Sequence, residues 1–311
     1  MGVGATRWLE PKVRRRFILA AVSYGALVGV FITLVMPDPS EAGLAVIVAV
    51  AMAIPFFAYD FMLSYLLLER RDREAEIRVA ARIQAGLFPA EVPRIGPWDC
   101  AGYLRPALSI GGDYWDVFPL RDGRVLLAVA DVSGKGVPAA ILMSGLRARL
   151  HLLAGQDPDP ATVVNKLNRA LAAETEPSEY ATLILAILDA EAGTITSVNA
   201  GHPPGLLFRA DGSIDQLTRG GIPVGMFEDF VYESKKRIWM PGDRLLLFSD
   251  GVLDVAVSSK GPLDPEDLIP CGASLAGGAQ ELVEAVRAFV HETADGEPED
   301  DITILACTYS P

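Results

Sequence analysis

The chain has 311 residues, is 50% hydrophobic and carries a formal net charge of −13. Charged residues make up 22%, too many for a largely membrane-buried protein, and the acidic balance argues against nucleic acid as a partner, since that footprint is basic. The three Cys and three His form no C-x-x-C and no ligand spacing, which excludes a disulfide framework and a structural zinc site.

Charge is unevenly spread. Residues 1–73 hold eight Lys/Arg against six Asp/Glu, the remainder 19 against 34. Lys12, Arg14, Arg15 and Arg16 precede an apolar run, Phe17–Met36, of 20 residues without a charge. Arg70, Arg71 and Arg73 follow a second, Leu44–Leu68, of 25 residues whose one charge is Asp60. Each run is long enough to cross about 30 Å of hydrocarbon. The connection Pro37–Gly43 contains Asp38 and Glu41 and no basic residue. This pattern predicts a two-pass hairpin with helices over 17–36 and 44–68 and both termini in the cytoplasm. A cleaved signal peptide would have a shorter apolar core and no second span. Two spans leave little room for a transport path, so Asp60 is expected to face a partner helix or the interface.

In Glu69–Phe88 the charges alternate in sign, while Ile77, Ala80, Ala81, Gln84, Leu87 and Phe88 recur at roughly helical spacing. The segment is expected to continue as a helix out of the membrane, ended by Pro89. A solvated connector and a short dimerising helix both fit; a homodimer through this helix is the expected arrangement. The domains are then a membrane anchor (1–68), a linker or regulatory helix (69–90) and a cytoplasmic domain (91–311).

From Trp98 the texture changes. Strands are expected near 99–105, 113–119, 124–131, 181–189, 194–199, 205–209, 214–217, 231–237, 244–249 and 302–308. Helices are expected near 138–153, 160–175 and 278–293. Strands that follow one another without intervening helices favour antiparallel pairing and an α+β fold.

Acidic residues stand beside glycine at the ends of apolar strands: Asp113 and Asp116 in GGDYWD, Asp131 in ADVSGKG, Asp250 in SDG, and Asp300 and Asp301 in EDD. One such site is a turn former. Four raise the cost of gathering carboxylates, which cations would offset. Oxygen ligands of this kind suit Mg²⁺ or Mn²⁺. The run Gly134–Ala139 fits G-x-G-x-x-A, but no second parallel strand with a ribose-binding acid follows, which disfavours a dinucleotide site. Asp157-Pro158-Asp159 reads as a loop and helix N-cap. Cys100 and Arg105 are one residue too close for a C-x₅-R phosphatase loop. His202, in NAGHPP with Asn199, sits in a tight turn, where it is structural or orients a neighbouring loop or the substrate.

The order GGDYWD, ADVSGKGVPAAILM, NAGHPP, GIPVG, PGDRLLLFSDGV and DDIT, after AARIQAGLFPAEVP, resembles the metal-dependent type 2C-like (PPM) serine/threonine phosphatases of the bacterial SpoIIE/RsbU branch. The resemblance covers about residues 80–308 and implies an α-β-β-α four-layer sandwich behind two transmembrane helices. It also implies two Mn²⁺ or Mg²⁺ ions between the sheets and hydrolysis by a metal-activated water. Carried over by position, Asp131 bridges the ions with the Val132 carbonyl beside it. Asp250 and Asp300 hold the second ion, Asp113 binds directly or through water, and Asp116 is an outer contributor. Asp301 ranks below Asp300. The implied substrate is a phosphoserine or phosphothreonine on an anti-sigma-factor antagonist, a STAS-domain protein, at the bacterial inner membrane. Lys135 stands where this branch often carries His. The rival readings are a catalytically inactive membrane scaffold for the same partner and a phosphatase of a small phosphorylated metabolite.

Overall fold

In the computed structural model, which describes residues 23–26, 30, 39–89, 92, 94–157, 159–176, 178–218, 221–255, 261–273, 277–294, 296 and 298–309, one helix, α1 (Pro39–Ala85), takes up the second apolar run and the charged segment after it. The chain divides into two units, Met1–Glu76 and Ile77–Pro311. In the first unit α1 begins earlier than the expected second span. Proline suits a first helical position, where its missing N–H would have no intrahelical acceptor. Residues 39–43, expected in the connection, are therefore helical. Pro55 lies inside the helix, which membrane helices tolerate better than soluble ones. Ile47, Met52, Ile54, Tyr59 and Met62 are all exposed, an apolar surface that calls for lipid or protein around it. The ring of Tyr24 stacks on Phe56 at 6.1 Å and meets Phe57 edge-on at 5.9 Å, so the two apolar runs touch. The expected first span, 17–36, otherwise lies outside the described residues, apart from helical residues 23–26 and 30.

In the second unit α1 ends at Ala85 rather than at Pro89. Gly86 closes the last turn, its N–H 3.1 Å from the Ile83 carbonyl, and Leu87 and Phe88 leave the helix to pack on the core. Among the described residues ten strands follow: β1 (Trp98–Arg105), β2 (Tyr114–Pro119), β3 (Val125–Val132), β4 (Ala181–Asp189), β5 (Thr194–Ala200), β6 (Gly205–Phe208), β7 (Ile214–Leu217), β8 (Lys235–Ile238), β9 (Arg244–Phe248) and β10 (Ile302–Tyr309). The helices between them are α2 (Val137–Ala154), α3 (Pro160–Ala172), α4 (Ile269–Ala273) and α5 (Ala279–Thr293). Sheet A has the order β1-β10-β9-β6-β7 and sheet B the order β2-β3-β4-β5-β8. Every pairing of neighbouring strands is antiparallel.

Strand alternation builds the layers. Trp115, Val117, Leu127 and Val129 of sheet B meet Leu207, Leu245, Leu247 and Leu305 of sheet A in one buried cluster. The opposite face of sheet B packs under α2 and α3, and the opposite face of sheet A under α4 and α5. The result is the expected α-β-β-α sandwich. α2 is itself long and apolar enough to cross a membrane, but Ala139, Met143, Leu146 and Leu150 bury one face of it in the core. β8 starts later than expected. Residues 231–234 are irregular because Tyr232 is drawn to α3, its N–H donating to Asn165 Oδ1 at 2.9 Å.

Candidate metal centre

Strand register assembles the acidic residues. Asp113 immediately precedes β2 and Asp131 is the second-to-last residue of β3; Tyr114 pairs with Ala130, so the two acids stand side by side. In sheet A, Asp250 follows β9 in a 3₁₀ turn and Asp300–Asp301 lead into β10. Phe248 pairs with Ile304, and the Ser249 N–H reaches the Thr303 carbonyl at 3.0 Å. Each sheet thus contributes the ends of two adjacent antiparallel strands to one place.

Polar groups tie these ends together. Thr303 Oγ1 donates to Asp113 Oδ2 at 2.6 Å, a bond from sheet A to sheet B. Asp301 accepts from the N–H groups of Ala107 at 2.8 Å and Gly112 at 2.9 Å, which fixes the loop before Asp113. The packing leaves no room for side chains at two glycines. A Cβ on Gly112 would lie 2.7 Å from the Val132 carbonyl oxygen, and one on Gly251 2.0 Å from the Asp301 carbonyl oxygen.

Charge is concentrated beyond what these bonds offset. Burial holds the Asp113 carboxyl well above the usual range, and the neighbouring Asp131 raises it further. Asp131 is pushed up to about 7, first by burial and then by Asp250, Asp300 and Asp301, with a hydrogen bond to Asp113 in opposition. Asp250 is raised by burial, then by Asp254 and Asp300. Asp300 is less enclosed, and its Oδ2 meets the Lys135 ammonium at 3.1 Å. Among the described residues, no three His, Cys, Asp or Glu side chains gather tightly enough to hold an ion as they stand: Thr303 holds Asp113, and Lys135 holds Asp300. The donor chemistry nevertheless fits a hard divalent cation. All the side chains are carboxylates, the charged forms of Asp113, Asp131 and Asp250 are disfavoured by burial and by neighbouring carboxylates, and the Val132 carbonyl lies beside them without an intervening side chain.

Three expected contributors sit elsewhere. Asp116 pairs with Ala128, three residues along β3 from Asp131 or about 10 Å, and strand alternation turns it toward α2. There it accepts from Tyr114 Oη at 2.8 Å and its own neighbour Val117 N–H at 2.8 Å, and contacts His151 Nε2 at 2.7 Å. It is a structural carboxylate under α2 and not an outer metal contributor. Asn199 and His202 form a buried turn. Asn199 Oδ1 accepts from the His202 N–H, Asn199 Nδ2 donates to the Pro203 and Leu217 carbonyls, and His202 Nδ1 lies 2.7 Å from Thr182 Oγ1. Thr182 is the strand partner of Asp131, so this turn supports the site from behind.

Four residues escaped sequence reasoning. Ser249 and Thr303 are the inner polar supports, and their signal was adjacency to the acidic motifs. Lys135 faces Asp300. Gln84, buried at the end of α1, donates from Nε2 to the Gly111 carbonyl at 2.7 Å and accepts the Gly111 N–H at 3.2 Å. It clamps the linker helix to the loop that carries Asp113.

Two facing antiparallel sheets between helices, with carboxylates gathered where four strand ends meet, are the architecture of the PP2C-type phosphatases, and the chain is an enzyme of that class. Residues 121–310 match the family described as Stage II sporulation protein E (SpoIIE). The chain belongs to that family. It is 28% identical over 238 residues to phosphoserine phosphatase RsbU of Bacillus subtilis (strain 168), covering 76% of this chain and 70% of that protein. The structure of the RsbU and RsbW domains of Rv1364c from Mycobacterium tuberculosis aligns with a TM-score of 0.62 at 26% identity, covering 72% of this chain and 63% of that one. The SiaA-PP2C domain of Pseudomonas aeruginosa aligns with a TM-score of 0.67 at 21% identity over 78% of this chain and 98% of that one, which speaks for the fold.

Proposed function

We propose that the chain is a Mn²⁺- or Mg²⁺-dependent protein phosphatase that removes phosphate from a phosphoserine or phosphothreonine. The observation that carries this reading is the meeting of Asp113, Asp131, Asp250 and Asp300 at the strand ends, where burial and neighbouring carboxylates raise the pKa values of Asp113, Asp131 and Asp250. Asp131, the Val132 carbonyl, Asp250, Asp300 and Asp113 would hold the ions. When bound, such ions supply an acidified water nucleophile and offset charge on the phosphoryl oxygens. The chain's own residues do the positioning: Thr303 orients Asp113, and Asp301 and Gln84 hold the loop in front of it. Asp301 acts through backbone N–H groups rather than as a ligand.

The natural substrate in this reading is an anti-sigma-factor antagonist of STAS type, in a pathway where partners exchange on phosphorylation; similarity to RsbU supports it. Residues 1–68 anchor the enzyme in the bacterial inner membrane as a two-pass hairpin, with 69–90 as linker and 91–311 as catalytic domain on the cytoplasmic side. The exposed apolar surface of α1 and the contact of Tyr24 with Phe56 support the hairpin. A homodimer forms along the linker. Val79 and Ile83, one turn apart on α1 and both exposed, are its apolar seam, whereas Leu87 is spent on the domain's own core.

The test is hydrolysis of a phosphoserine protein and of p-nitrophenyl phosphate by the full chain in detergent, with and without Mn²⁺. Metal-dependent turnover of both supports the reading. Turnover of p-nitrophenyl phosphate and small phosphate esters but of no phosphoprotein would favour a metabolite phosphatase. Binding of a phosphoprotein without turnover would favour a scaffold.

A further inference from the structure

The glycine loop between β3 and α2 places one cation at the acidic centre. Lys135 Nζ lies 3.1 Å from Asp300 Oδ2 and donates to the Glu299 carbonyl at 2.9 Å. Its side chain is 57% exposed, so neither packing nor burial holds it there; the attraction comes from Asp300, with Asp301 and Glu299 adding to it. Among the ion pairs of the described residues, none other joins a Lys or Arg to Asp131, Asp250, Asp300 or Asp301. The Asp300 side chain is itself 45% exposed, whereas Asp113 is buried. The carboxylate that this ammonium meets is therefore one that a divalent ion has to engage.

We propose that Lys135 is a built-in competitor for the metal. Its ammonium neutralises Asp300 in the metal-free enzyme and must be displaced for a divalent ion to use that carboxylate, so Lys135 sets the metal concentration at which the site fills. This rests on the reading of Asp300 as a ligand. A half-exposed ion pair is worth at most about 1 kcal/mol, which corresponds to a factor of about five in affinity. The competition therefore tunes the metal requirement without abolishing binding.

The test is Mn²⁺ binding to the full chain in detergent, read from the free-ion electron paramagnetic resonance signal rather than from turnover. Lys135→Gln should lower the Mn²⁺ dissociation constant about three- to fivefold, and Lys135→Arg should leave it near that of the unsubstituted chain. In an Asp300→Asn background, Lys135→Gln should have no further effect, because the contested carboxylate is gone. Unchanged or weaker Mn²⁺ binding by folded Lys135→Gln would overturn the inference while leaving the metal centre standing. An equal gain in the Asp300→Asn background would also overturn it, by showing a general field effect. No Mn²⁺ binding by the folded, unsubstituted chain would overturn the metal centre and the inference together.

Discussion

Asp131, the central carboxylate of the proposed centre, would serve function at a cost in stability. Its folded carboxyl binds a proton more tightly than an unfolded one, with the pKa raised from 3.8 to about 7. Between those values the metal-free native state holds extra protons, so stability falls as pH rises through that window and stays low above it. Without divalent ions, the melting temperature of the catalytic unit, followed by tryptophan fluorescence of the full chain, should fall between about pH 5 and about pH 8. Mn²⁺ should raise it more at the higher pH, where protons no longer compete. Asp131→Asn should raise the metal-free melting temperature at about pH 8 by roughly 2–6 °C while lowering metal-dependent turnover at least about 100-fold. A melting temperature that rises with pH in the metal-free protein, or falls on Asp131→Asn, would contradict this picture. Gly112→Ala is a second residue-level test. Its Cβ would meet the Val132 carbonyl at 2.7 Å, so the loop must shift by several tenths of an ångström, and turnover should fall at least tenfold with the fold retained by circular dichroism.

Elements were legible in the sequence to the extent that their signal was local. Apolar strands such as Val125–Ala130 stand out between turn residues, and β3, β4, β7, α2, α3 and α5 fall within a few residues of their expected bounds, whereas the short α4 was not expected. The acidic strand ends were legible as motifs. Their convergence was not, because it depends on register: Tyr114 opposite Ala130 in one sheet, Phe248 opposite Ile304 in the other. The resemblance, rather than any spacing, implied that they meet. Asp116 misled because GGDYWD presents two acids alike, and only strand alternation turns one toward α2. Long-range pairs were invisible for the same reason, among them Cys100 opposite Cys307 across β1 and β10 and the Gln84 clamp on Gly111. That clamp joins a helix end to the loop of Asp113, so Gln84→Ala should cost about 1–3 kcal/mol and raise amide hydrogen exchange at Gly111 and Gly112. Unchanged exchange there would show that α1 does not hold the loop.

At the scale of the whole molecule, α1 runs without a break from the second apolar run to Ala85, and Leu87 and Phe88 after it pack on the core of the second unit, so in the proposed arrangement this helix would be the link between anchor and enzyme. A seam of two apolar residues is weak by itself, so in the proposed dimer the hairpin would contribute by confining the chains to one membrane. Ile83→Glu should convert the detergent-solubilised chain from dimer to monomer in sedimentation, with metal-dependent turnover of p-nitrophenyl phosphate lowered by less than about threefold. A dimer that persists would place the interface elsewhere. The central claim is the metal-dependent phosphatase centre, and the most direct measurement is phosphate release from a phosphoserine protein by the full chain, with and without Mn²⁺, beside Asp131→Asn and Asp250→Asn. The account predicts turnover only with the metal and its loss in both variants. Turnover that is indifferent to Mn²⁺, or that survives either substitution, would contradict it.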